Sequence, residues 1–431
     1  MTMPGSTRRP YQRRPFDAAN CTACGLCLEY CPVMALPPER ARREMQRLLA
    51  GQDSPLLRAC TSCGACNLAC PDDCRPANLI LDRWHEDYLQ HGLPARAAYF
   101  LPHSRPNFRT DIVARLPADE RERVARWRRA AGDPAARPAR EFLFSGCNLV
   151  TAPYLTFSRL FDGVDIRGGL DYCCGEMLFR MGLYEPLEGV ARRLGYWLAV
   201  LGAERVYLLC TAGLHMLRHV LPQYLVSNTQ YPLSNIQFLP YLQVILDRLE
   251  AGDLDPVHPL DMTVSVQDSC HTRYLPASNG RDEFADLPRR LLAAIGVRVV
   301  EAPHSRGTSL CCGIAGGFSH ASAYHPVDLL LAARTTSRDH RRTPAGATCV
   351  YCAGCLEMMS VARLPDPNRR PVYHLLELVQ MALGEQPRRR QGALARGFVA
   401  GTLRRQFPQM LNPRRFWLPP LPVEPDPAQA I

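Results

Sequence analysis

The chain has 431 residues, 47% of them hydrophobic and 21% charged, with a formal net charge of +10. That length allows two to four domains at about 100–200 residues each, and the composition excludes disorder along the whole length. No window reaches the ~18 uninterrupted apolar residues of a helical membrane span, and because all 51 basic residues are Arg, no lysine can form a Schiff base or serve a P-loop.

Nineteen cysteines set the main question. Disulfide scaffolds are mostly short and secreted. Met1 to Asp17 carries two Arg pairs with no apolar run behind them, so no secretion signal is expected and a reducing cytoplasm is. Clustered Cys there points to metal. An oxidised four-iron cluster on four thiolates carries about −2, so bound clusters would cancel much of the basicity. No nucleic-acid motif is present, and no nucleic-acid partner is expected.

Cys21-Thr-Ala-Cys24-Gly-Leu-Cys27-Leu-Glu-Tyr-Cys31-Pro32 is a C-x2-C-x2-C-x3-C-P run, and Cys60-Thr-Ser-Cys63-Gly-Ala-Cys66-Asn-Leu-Ala-Cys70-Pro71 repeats it. In such runs the fourth Cys ligates the other cluster. This assigns Cys21, Cys24, Cys27 and Cys70 to one 4Fe-4S cluster, and Cys60, Cys63, Cys66 and Cys31 to a second. Zinc ribbons would instead show paired C-x2-C units across a long loop. Between the runs, Pro37-Pro38-Glu39 opens a helix and Gly51 closes it, with Ala41, Met45, Leu48 and Leu49 at helical spacing. This resembles the α-helical ferredoxin module of succinate dehydrogenase and heterodisulfide reductase small subunits. Cys74 is left over and expected to be structural.

Residues 86–138 are rich in Arg, Ala and Pro and are expected to form a solvated connector, with Asp119 to Arg129 a charged surface helix. The chain then repeats itself. Glu141–Phe144 is a predicted strand ending near Cys147, followed by Cys173-Cys174-Gly175 and a strand from Val206 to Leu209 ending at Cys210. Met262–Val266 leads to Cys270, followed by Cys311-Cys312-Gly313 and Cys349-Val-Tyr-Cys352. The gaps from Cys174 to Cys210 and from Cys312 to Cys349 hold 35 and 36 residues. Strands alternating with helices predict parallel βαβ units, with a Cys at the carboxyl end of each strand, where ligands collect. The Gly after each Cys pair is expected to let backbone approach a cluster. A buried Cys group without metal is the alternative.

These units resemble the cysteine-rich CCG domains. A dicluster ferredoxin ahead of two of them resembles the catalytic iron–sulfur subunit of heterodisulfide reductase. It is also similar to the iron–sulfur subunits of glycolate oxidase, lactate-utilisation, anaerobic glycerol-3-phosphate dehydrogenase and sulfate-reducer membrane systems. The resemblance covers residues 15–85 and about 140–385. It implies a multi-domain fold, an α-helical ferredoxin followed by two α/β (βαβ-type) CCG units. It implies a noncubane four-iron cluster, at which disulfide is reduced, on Cys270, Cys311, Cys312, Cys349 and Cys352. The first unit matches at Cys147, Cys173, Cys174 and Cys210, but Gly213 stands at the place of its last Cys. Its first gap is 25 residues against 40. It is expected to be empty or altered, so about twelve irons are expected. Cys74 and Cys355 remain unassigned.

The expected domains are 1–85, 86–138, 139–255, 256–385 and 386–431. Cys311, Cys312 and His271 are the expected catalytic residues, with Arg273 as a charge partner. The alternative for His271 is a hydrogen bond to cluster sulfur or backbone. No G-x-G-x-x-G follows a strand, so neither NAD nor flavin is expected in this chain. Electrons would pass through the two N-terminal clusters to or from the second CCG unit, with a membrane cytochrome or flavoprotein as partner. The alternatives are a non-catalytic electron-transfer subunit of a flavin-dependent dehydrogenase or membrane respiratory complex, and a module whose clusters are structural. In the tail, Leu394, Phe398, Val399, Leu403 and Phe407 can share one helical face flanked by Arg396, Arg404 and Arg405. This predicts peripheral contact with the inner face of the cytoplasmic membrane, or a partner, against a frayed terminus as the alternative.

Overall fold

The computed structural model describes residues 15–132, 138–225, 233–275, 283–314, 324–365 and 370–424. The N-terminal Arg pairs, Gly316, Gly317, Pro425, Asp426 and Pro427 lie outside the described residues.

In the N-terminal module each cysteine run folds the same way. A left-handed glycine, Gly25 or Gly64, opens a short helix, α1 (Leu26–Glu29) after the first and α3 (Ala65–Ala69) after the second. Between them α2 (Pro38–Leu49) starts with Pro at its first position and buries Ala41, Met45 and Leu48 at helical spacing. Helix α4 (Pro76–His91) closes the module over Ile80, Leu81, Trp84 and Tyr88. Each fully buried Leu, Ile or Met there stabilises by about 1.5–3 kcal/mol.

The stretch expected to be a solvated connector is part of the core. Asn107 caps α5 (Phe108–Val113) by accepting from the Arg109 and Thr110 N–H groups, and every residue of α5 is buried. Helix α6 (Ala118–Gly132) turns Val124, Trp127 and Ala131 inward and so is not a purely surface helix. The Arg residues dominate the composition there, but the apolar residues fall at three- and four-residue spacing, and that stripe decides the packing.

Two four-stranded parallel sheets follow, with the same topology. The first comprises β1 (Glu141–Phe144), β2 (Ile166–Arg167), β3 (Arg205–Leu208) and β4 (Gln237–Pro240), ordered β2-β1-β3-β4. The second comprises β5 (Met262–Gln267), β6 (Val297–Val299), β7 (Ala347–Val350) and β8 (Val372–His374), ordered β6-β5-β7-β8. In each, the direction of winding reverses between the first and third strands. Loops leaving those two carboxyl ends part and form a crevice. Cys147 follows β1 and Cys270 follows β5. Cys210 caps α8 (Thr211–His215) after β3, and Cys352 caps α10 (Ala353–Arg363) after β7.

Gly313 has φ +107°, and a Cβ there would lie 2.9 Å from the Leu329 carbonyl of α9 (Pro326–Arg341). The glycine is thus required by helix packing and by its left-handed backbone.

The tail is docked rather than free. Helix α11 (Gln391–Gly401) buries Leu394, Ala395 and Phe398 against α10 and α5. Arg404 and Arg405 reach Asp111 at 3.4 and 3.0 Å. Leu93–Pro94 and Arg415–Phe416 pair as a short antiparallel ladder. The expected amphipathic face exists, but its inner half is covered by the chain itself. Leu403 and Phe407 remain 61% and 62% exposed. Among the described residues no helix is long and apolar enough to cross a membrane.

Candidate functional site

The structure places the fourth cysteine of each ferredoxin run among the first three of the other. Cys21, Cys24, Cys27 and Cys70 line one small cavity together with Cys74. Burial, and then the Cys70, Cys24 and Cys21 thiols, push Cys27 up to about 12. Cys66 is raised by burial and then by Cys60 and Cys63, with Cys31 also near. Cys31 is raised by burial and then by Cys63. Such groups ionise together only when a cationic cargo offsets the charge. Among the described residues no three His, Cys, Asp or Glu side chains stand close enough to hold one metal ion. Four thiols drawn from two separate runs and lining one cavity fit the four corners of a cluster. A single zinc needs its sulfurs about 2.3 Å from one point.

At the carboxyl ends of the two sheets, thiols from both units form one band. Cys147 and Cys173 Sγ lie 3.4 Å apart. Cys173 meets Cys174, which lies near Cys210. Cys210 in turn meets Cys352 of the second unit. From there the band runs through Cys355, Cys312 and Cys311 to Cys270. Its far end touches the ferredoxin module, where Cys63 and Ala65 are buried in one apolar cluster with Cys270 and Cys311.

Cys349 is not part of this band. It lies within β7, paired between Val266 and Tyr373, fully buried, and its Sγ lies 4.0 Å from the Val350 carbonyl. The structural counterpart of Cys210 is Cys352, since each caps the helix after its third strand. The Cys-x-x-Cys of the second unit is therefore Cys352 and Cys355, one helical turn apart on the same face. Cys355, left unassigned by the sequence, enters the site. Gly213 lies three residues beyond Cys210 as Cys355 does beyond Cys352, so the first unit still lacks its last thiol. There the Asn148 side-chain amide donates to Cys210 Sγ at 3.5 Å instead.

Charged side chains frame the band. Arg180, only 1% exposed, ends α7 (Glu176–Arg180) and donates to Cys270 Sγ at 3.0 Å, Ser62 Oγ at 3.1 Å and the Thr61 carbonyl at 2.6 Å. Burial opposes its charge, but the Cys270 and Cys311 thiols more than offset this and raise its pKa. His271 Nε2 lies 2.8 Å from Glu176 Oε1 across the seam. Burial opposes the imidazolium, yet Glu176 and Cys270 raise His271 overall. Its partner is thus a carboxylate of the other unit. Arg273, expected as a charge partner of Cys270, instead donates to the Gly307 carbonyl at 2.8 Å and the Cys63 carbonyl at 3.2 Å, joining the second unit to the ferredoxin loop. Cys312 receives hydrogen bonds from Cys311 and then Cys355, which bring it down to about 6 and favour its thiolate. Arg109 is 3% exposed, lies near Cys147 and Cys173, and its Nε and Nη1 have no hydrogen-bond partner.

Sequence reasoning missed Cys355, Arg180, Glu176 and Arg109. Glu176 had a signal, standing directly after Cys173-Cys174-Gly175. Arg180 and Arg109 had none, since each is one Arg among many.

Residues 20–74 match the model of the 4Fe-4S dicluster domain, and residues 264–360 that of the Cysteine-rich domain, which takes in β5 to β7 of the second sheet. The chain is similar to one component of the dihydromethanophenazine:CoB--CoM heterodisulfide reductase of Methanosarcina acetivorans, 24% identical over 85% of this chain and 94% of that protein. It is similar to the probable membrane-anchored ferredoxin of Chromohalobacter salexigens, 24% identical over 86% of this chain and 60% of that protein. It is also similar to the EtfAB:quinone oxidoreductase of Syntrophomonas wolfei, 29% identical over 35% of this chain. The chain spans only 19% of the length of that last relative.

Proposed function

We propose that this iron–sulfur oxidoreductase subunit, which resembles the iron–sulfur component of heterodisulfide reductase, carries electrons along three stations. The first is Cys21, Cys24, Cys27 and Cys70. The second is Cys60, Cys63, Cys66 and Cys31. The third is Cys270, Cys311, Cys312, Cys352 and Cys355, where a disulfide, a thiol or a redox partner reacts. One observation carries this order: Cys63 is buried against Cys270 and Cys311. Bound there, four-iron clusters supply one-electron transfer. The chain's own residues exclude water, offset thiolate charge through Arg180, and hold a proton at His271 beside Cys270, where a thiolate product would need one. The first unit, without a last thiol, serves as scaffold. Two-electron donors belong to a partner, a membrane cytochrome or flavoprotein. The exposed Leu403 and Phe407 are the part of the expected apolar face left for a membrane surface.

Cys312→Ser should remove about four irons and one EPR signal, leaving two clusters that dithionite reduces. Retention of all the iron would overturn the third station. A second reading, electron transfer without substrate chemistry, is favoured by the relative named a ferredoxin. EPR of anaerobic protein with and without a dithiol or disulfide separates the two, because only a reactive third station changes its signal.

A further inference from the structure

A cleft of about 440 Å³ lies between the ferredoxin module and α9 of the second unit. It borders the second and third stations from outside the band of thiols. Its floor includes Cys60 on one side and Cys311 on the other. Those two residues belong to different stations, and the cleft is the place where both line one open space. Thr336 Oγ1 donates to the Cys311 carbonyl at 2.8 Å and pins that floor to α9.

The walls give the chemistry of an occupant. Leu310, Ala332 and the exposed Leu331 and Val33 supply an apolar lining. Arg58, Arg338 and Arg342 stand around it. Of the two acids in the lining, Asp339 is engaged by the His304 N–H at 3.0 Å and by its ring at 2.9 Å, and Arg58 stands 3.9 Å from Asp53, leaving Asp328 beside Arg338 and Arg342. Beside Cys311, the buried Arg180 donates to Cys270 Sγ at 3.0 Å and Arg273 to the Cys63 carbonyl at 3.2 Å. A concave, mostly apolar space of this size with a few charged groups at its edge is the usual form of a small-molecule site. Guanidinium groups favour carboxylate, phosphate or sulfonate.

We propose that this cleft binds a small organic anion with a flat apolar body, and that it is the port through which such a molecule exchanges electrons with the chain. The port rests on the function proposed above; the binding site does not. One electron leaves a reduced station and enters the bound molecule, with no bond made or broken.

Anthraquinone-2-sulfonate is a suitable probe, with benzyl viologen as the cationic control. Calorimetry on the iron-loaded chain should give saturable one-to-one binding of the sulfonate. Arg338→Glu combined with Arg342→Glu should weaken it at least tenfold. Leu331→Trp, which fills the mouth, should do the same. All three positions are exposed, and iron content checks that the variants are intact. In stopped flow, oxidation of the reduced chain by the sulfonate should slow by a similar factor in the variants, while oxidation by viologen should not. Unchanged sulfonate affinity in both variants would overturn the site. Weakened affinity with an unchanged sulfonate oxidation rate would overturn the port and leave the site. A chain that neither oxidant can oxidise, with binding still lost in the variants, would sink the electron-carrying function and leave the site standing.

Discussion

Arg180 makes one side chain answer to three parts of the chain, the ferredoxin loop, the start of its own helix and the thiol of Cys270. A cation at a sulfur ligand favours the reduced, more negative state of whatever those sulfurs hold. Arg180→Gln should therefore lower the reduction potential of the third station, by on the order of 60 mV for each 1.4 kcal/mol of lost interaction. An EPR-monitored redox titration measures it, and an unmoved potential would reduce Arg180 to a structural role. Arg180→Lys should keep only part of the potential, because an ammonium cannot span the three acceptors as a guanidinium does. Away from the thiols, Glu377 accepts from the His374 N–H at 2.8 Å and from the Gln391 side-chain amide at 2.6 Å. Burial still raises it to about 7. Its folded pKa lies above its unfolded value, so its contribution is complete below about 4.5 and is lost as pH rises through about 7. Glu377→Gln should flatten that fall, worth on the order of 3 kcal/mol, and melt higher than the parent at pH 8. Parallel pH profiles of the two melting curves would disprove this.

At the scale of elements, the position of a strand end decides which cysteines matter. Cys349, Cys352 and Cys355 are spaced by three, so two overlapping Cys-x-x-Cys pairs are available. The near-equal gaps point to Cys349 and Cys352, because nothing in the residue pattern marks that β7 ends at Val350. The ferredoxin runs were legible because all their ligands sit at fixed short spacings. The repeated units were legible from the recurring Cys-Cys-Gly, although the short strands β2, β4, β6 and β8 left no clear signal. The apolar stripe of α11 was legible too, but amphipathicity says only that a face is covered and not by what. Cys349→Ala should keep the full iron content at a packing cost of about 1 kcal/mol, whereas Cys355→Ala should lose about four irons. Iron and sulfide analysis of both proteins decides the assignment, and the opposite pattern would restore Cys349.

For the whole molecule, the tail and the former connector behave as one layer. Phe100, Phe108 and Phe398 lie with ring centroids 5.4–5.8 Å apart, joining residues far apart in sequence. A chain ending at residue 385 should therefore melt several degrees lower than the full chain, since it uncovers Leu394, Ala395 and Phe398 contacts worth a few kcal/mol. An equal melting temperature would show the tail to be dispensable to the fold. The meeting of Cys210 with Cys352 has a consequence for how the molecule is made. The eight ferredoxin cysteines leave the ribosome first, within the first 70 residues, and can be loaded while synthesis continues. The seam between the sheets does not exist until residue 355 has emerged and both units have closed on each other. On the proposed assignment metallation would follow that order, the ferredoxin cysteines before the seam. A nascent chain stalled between the two units would carry its ferredoxin cargo with Cys147, Cys173, Cys174 and Cys210 still open to the assembly machinery.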